Sequence, residues 1–95
     1  MQGFGGNVPV HSARVCVIYD REGGHIRHIH EVITLEGGRE PSEREIEAHA
    51  MEMVKRKGHD PHGLGMLHVS SDRLDRRQAY RVDPRTRTLV PKTAK

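Results

Sequence analysis

Apolar and polar positions follow two different rhythms along this chain, and the change from one to the other marks the elements. Residues Ala13 to Asp20 are rich in β-branched side chains and carry apolar groups at both parities. Val15, Val17 and Tyr19 fall on one face of an extended segment, Cys16 and Ile18 on the other, which is the pattern of a central strand covered from both sides. Asp20-Arg21-Glu22-Gly23-Gly24 supplies the glycines that a tight reversal needs, and His25 to Leu35 reads as the returning strand.

The period then lengthens to that of a helix. Ser42, after Pro41, stands three residues before Glu45, the spacing of a capping box in which hydroxyl and carboxylate satisfy exposed backbone donors reciprocally. Glu43, Glu45 and Glu47 gather near the positive end of the dipole, and Lys55, Arg56 and Lys57 near the negative end. Gly58 is placed to stop the helix in the left-handed conformation. Between these ends Ile46, Ala50, Met53 and Val54 form one narrow apolar stripe, with His49 at its margin and Glu52–Arg56 as an i,i+4 pair.

After the loop Gly58 to Gly63, Leu64 to Ser70 reads as a strand with Leu67 and Val69 on one side and Met66 and His68 on the other. Ala79 to Asp83, the turn Asp83-Pro84-Arg85-Thr86 and Arg87 to Val90 predict a second hairpin that Pro91 ends, because proline presets φ at the second turn position and Asp83 caps the backbone. The expected fold is α+β, a mostly antiparallel sheet with one amphipathic helix on one face, in the order β-β-α-β followed by a short terminal hairpin. Residues 1–12, rich in glycine, are expected as a flexible arm, 13–91 as the single domain and 92–95 as a disordered tail.

A helix of about 16 residues spans ~24 Å and covers only one side of such a sheet. The first strand is nevertheless apolar on both. A second copy of the chain on a two-fold axis is the expected cover for the other side, with Cys16, Ile18, Ile29 and Ile33 as the candidate dimer interface.

Composition sharpens this picture. With 95 residues, one core is expected, and with 3% aromatic residues it must be aliphatic. Cys16 is the only cysteine, so no intramolecular disulfide and no thiolate-dominated zinc site can form, and a reducing cytoplasmic location is expected. No apolar run approaches the ~20 residues of a membrane span, so no membrane partner is expected.

Eight histidines are the feature with most chemical promise. Strand periodicity places His28 and His30 on one face about 6.7 Å apart, a separation from which two imidazoles can converge on a divalent transition metal, with His68 or His49 completing the site. The ordinary reading is that these imidazoles line a half-polar sheet face. His59, Asp60 and His62 read as a solvated turn, and mid-strand Cys16 as a buried thiol with nothing to activate it. No nucleophile elbow, phosphate loop or dinucleotide fingerprint occurs, and no catalytic residue is assigned.

Net charge is +3, and the excess is concentrated, since residues 72–95 hold eight basic side chains against three acidic ones. Arg76, Arg77, Arg81, Arg85 and Arg87 would form a nucleic-acid-binding surface if gathered on one side of the hairpin, although Tyr80 is the single aromatic side chain among them for base stacking. Three functions therefore stand in order: a small non-enzymatic binding module acting as a homodimer, a nucleic-acid-binding accessory protein, and a histidine-dependent metal-binding protein or metalloenzyme.

Overall fold

Strand β1 (Val10–Asp20) is the axis of the fold, and its sequence requires this: an eleven-residue β-branched run with apolar side chains at both parities is stable only between two neighbours and under two layers. The computed structural model describes residues 9–92. β1 pairs antiparallel with β2 (Ile26–Leu35) on one side and β3 (Leu64–Ser70) on the other, giving the strand order β2-β1-β3. β1 begins three residues before the predicted Ala13, within the segment expected as an arm. The rest of that segment, residues 1–8, and residues 93–95 of the expected tail lie outside the described residues.

The reversal after β1 is set by Asp20. Its carboxylate accepts from the Glu22 amide at 2.9 Å, and its carbonyl accepts from Gly24 N–H at 2.7 Å. Gly24 has φ of 81°, which a residue without Cβ adopts at no steric cost. The ladder is regular from Ser12–Thr34 to Ile18–His28, with a register shift beyond each end.

Helix α1 (Glu43–Arg56) starts as the sequence predicts. Ser42 Oγ accepts from Glu45 N–H at 3.2 Å, and the Glu45 carboxylate accepts from Ser42 N–H at 2.9 Å. Arg39 reaches the same carboxylate, so the cap, which lowers the Glu45 pKa first through the Ser42 amide, is also charge-assisted. Gly58, with φ of 90°, ends the helix. Ile46, Ala50 and Val54 seal it onto Cys16 and Ile18, with Val32, Met51, Leu64 and Met66 around them.

The opposite face of β1 is covered from within the chain. Strands β4 (Tyr80–Asp83) and β5 (Thr88–Pro91) form a two-stranded sheet whose Val82 is wholly buried against Val15, Val17 and Tyr19, with Leu67, Val69, Leu74 and Leu89 completing a second core. The expectation that a second copy must shield this side of β1 is therefore corrected. The hairpin folds back across the sheet instead of extending it, because alternation in Tyr80-Arg81-Val82-Asp83 gives it one apolar face to bury. The architecture is α+β in the order β-β-α-β-β-β, two cores on either side of one central strand.

Coverage of the second face is nevertheless incomplete. The hairpin packs over β1 and β3 and reaches only the Ile26 end of β2. Further along β2, Ile29 is 43% exposed, Ile33 57% and Leu35 43%, with Val10 exposed beside them.

Candidate functional site

Two regions collect the side chains singled out by sequence: the surface beneath and around α1, and the open half of β2. On the α1 side, the register sets Cys16 between His30 of β2 and His68 of β3, and Ile18 between His28 and Met66. The rings of His28 and His30 lie 5.8 Å apart, tilted by 31°. Lys57 Nζ, which can only donate, sits 2.9 Å from His28 Nδ1, so this imidazole is neutral and carries its proton on Nε2. Burial, reinforced by the charges of Lys57, His30 and His59, pulls the His28 pKa below its ordinary value. That direction suits the neutral tautomer.

His68 has a different partner. Its Nε2 is 2.7 Å from the Glu47 carboxylate of α1, a bond that ties β3 to the helix. His49 lies elsewhere again, lining with His30 a small cleft of about 160 Å³ beside Pro41, Arg39 and Ile46. Cys16, covered by the helix, thus stands between His30 and His68, while His28 and His30 remain neighbours and His49 shares a cleft with His30. Among the described residues no three His, Cys, Asp or Glu side chains gather closely enough to hold a metal ion.

Cys16 itself is fully buried. Burial, with the carboxylates of Glu47 and Glu43 nearby, pushes its thiol up from 9.0 to about 11. A thiol whose pKa is raised on folding contributes stability that is complete below pH 9 and lost as pH rises through 11. Urea unfolding between pH 8 and 11 should therefore show a stability decline of about 2 kcal/mol from this group, absent in Cys16→Ala. An identical slope in the variant would exclude Cys16 as its source.

The five candidate arginines of the terminal segment are dispersed by their contacts. Arg76 reaches across the sheet to Glu31 of β2, whose carboxylate also accepts from Ser71 Oγ at 2.8 Å. These hydrogen bonds, Ser71 first, hold the Glu31 pKa below the usual carboxylate range. Arg77 pairs with Asp75 at 3.5 Å. Arg87, held at φ of 56°, turns its guanidinium onto the Met66 carbonyl at 2.5 Å. Arg81 and Arg85 stand on the outer, exposed side of the hairpin. Two of the five, Arg76 and Arg87, therefore tie the terminal segment to the main sheet.

The four residues of the expected dimer interface do not share one surface. Cys16 and Ile18 are buried under α1, whereas Ile29 and Ile33, opposite Val17 and Ala13, belong to the hairpin side. Around those two isoleucines, however, a surface does exist. Ile29, Ile33, Leu35 and Val10 make an apolar strip, and beside Ile29 a groove of about 330 Å³ opens between Ile26, Leu74, Ala79 and Tyr80. Glu31, with Arg76 and Ser71, lies between the two isoleucines.

No protein-family model, no curated protein and no solved structure matches the chain. Function is therefore argued from geometry alone.

A third region is polar. The β1–β2 turn and the loop before β3 border a cleft of about 590 Å³ lined by Arg21, Arg27, His59, Asp60 and His62. Here Asp60 accepts from the His62 amide at 3.0 Å, Arg27 lies 3.4 Å from Asp20, and Arg21 N–H donates to the Gly63 carbonyl at 2.9 Å. These bonds account for the local loop shape. Among the described residues no helix is long and apolar enough to cross a membrane.

Sequence reading picks out Ile29 and Ile33 but neither the full strip with Leu35 and Val10 nor the Glu31–Arg76–Ser71 cluster, for different reasons. Leu35 and Ile29 carry the alternation that would have placed them together with Ile33 and apart from His28 and His30. The contact between Glu31 and Arg76 spans 45 positions and leaves no local signal.

Proposed function

We propose that the chain is a small interaction module that acts by binding rather than by catalysis, and that it works as a homodimer through the open half of β2. The observation that carries this reading is the state of β2: a ten-residue edge strand whose outward face bears Ile29, Ile33 and Leu35, each more than two-fifths exposed. A long apolar edge is an unpaired template, and proteins that leave one bare expose themselves to association. β3, the opposite edge, is treated differently: it is seven residues long, and Arg87 covers the Met66 carbonyl. Among the described residues no side chain caps the backbone of β2.

The same reading gives the remaining chemistry a quiet role. His28 and His68 each have one partner, Lys57 and Glu47, and one buried nitrogen without any, Cys16 is buried, and the histidine-rich side of the sheet is occupied by α1. Sedimentation equilibrium at micromolar concentration and neutral pH tests the proposal. Twice the chain mass of 10.8 kDa is expected, and a single-chain mass up to a hundred micromolar would overturn it.

A further inference from the structure

Resting on that reading, we infer that two copies join their β2 strands antiparallel across a two-fold axis that passes through Glu31, making one continuous six-stranded sheet. A strand that pairs with its own copy in this way is centred on one residue, and residues equally spaced about it face each other on the same side. Centring on Glu31 sets Ile29 against the partner's Ile33 twice over, within the regular part of β2 that ends at the register shift beside Arg27. The Ile29 groove between Ile26 and Tyr80 then lies next to the incoming isoleucine. Both half-exposed isoleucines of each copy are buried by their counterparts.

Neighbouring registers match less well. Centring on His30 or Val32 drives the Glu31 carboxylate against an isoleucine, and centring on Ile33 drives it against Leu35. Centring on Ile29 carries Ile33 and Leu35 past the turn and leaves them wet. Centring on Glu31 brings two carboxylates together, and the structure already provides for them: each is held by its own Arg76 and Ser71, and Arg76, on the exposed side of that pair, has donors left for the second carboxylate. The axis thus has two guanidinium groups for two carboxylates. It is this self-matching of charge and apolar positions that names a second copy, rather than an unrelated chain, as the occupant of the edge.

Cysteine pairs on the full-length chain test the register, with buried Cys16 left in place. In an antiparallel pair, opposed residues lie about 5 Å apart, whereas in the proposed register each isoleucine is about 13 Å along the strand from its own copy. Under mild oxidation an equimolar mixture of Ile29→Cys and Ile33→Cys should give a disulfide-linked dimer on a non-reducing gel, and neither variant alone should. Self-linkage of Ile29→Cys or of Ile33→Cys would replace this register with one centred on that residue and overturn the inference. A dimeric mass with no linkage in any arm would overturn the β2 pairing but not self-association. A single-chain mass would overturn both.

Discussion

Gly24→Ala is expected to lower stability by about 3 kcal/mol, a large share of what a domain of this size possesses. A Cβ at position 24 would lie 1.9 Å from the Val82 carbonyl oxygen, a backbone atom that no rotamer change can move aside. The two strands are joined at this point, since Val82 N–H donates to the Gly24 carbonyl at 2.9 Å. Displacing β4 would unseat Val82, whose full burial is worth roughly 1.5–3 kcal/mol, and the φ of 81° adds about 1 kcal/mol for any residue with a side chain. Gly37→Ala is the control. Its φ of 85° carries the same strain, yet nothing lies within 4 Å of its Cβ, so a loss of only about 1 kcal/mol is expected in the same urea titration. Equal losses at the two positions would mean that the hairpin is not anchored on the turn.

Ile33→Arg is expected to convert the proposed dimer to single chains while leaving the fold intact. Position 33 is 57% exposed, so the monomer loses little packing, whereas in the dimer the charge would be brought onto the apolar strip of the partner. A weakening of self-association by a hundredfold or more, on the order of 3 kcal/mol, should be read by sedimentation velocity as a shift to the single-chain mass. The thermal transition of the diluted variant should match that of diluted wild type. Val90→Arg, a change on the outer side of the terminal hairpin, should leave the association unchanged.

How much of this was legible in the sequence varies with the distance over which each feature is encoded. The capping box of Ser42 and Glu45, the glycine end at Gly58 and the Asp20–Gly24 reversal involve residues two to five positions apart, and local chemistry specifies them. The two-sided burial of β1 was equally readable, because alternation within one strand reports it. What covers the second side was not. Val82 and Leu89 look like any short hairpin, and only the closed structure shows them folded onto Val15, Val17 and Tyr19 instead of prolonging the sheet. Arg87 adopts a left-handed backbone without being glycine, so the longer loop after Asp83 carried no sequence mark.

The candidate surface shows the same division. Of the four residues expected at an interface, Ile29 and Ile33 are exposed on one face of the sheet, and grouping them with Cys16 and Ile18 required a register that the hairpin does not have. Val17 faces Ile29 and Cys16 faces His30, which separates the four residues onto opposite sides of the sheet. The histidines, by contrast, were placed on the correct face of β2. Two of them meet side chains of the helix region that the sequence did not pair with them, His28 with Lys57 and His68 with Glu47.

The edge of β2 is where the account is most directly exposed to measurement. Amide hydrogen exchange of residues 26–35, followed at high and at low protein concentration, reads whether the outward N–H groups of that strand find acceptors on another chain. Exchange that is slow in the concentrated sample and quickens on dilution, while β1 stays protected in both, is the predicted result. Rates along β2 that are the same at every concentration would contradict it.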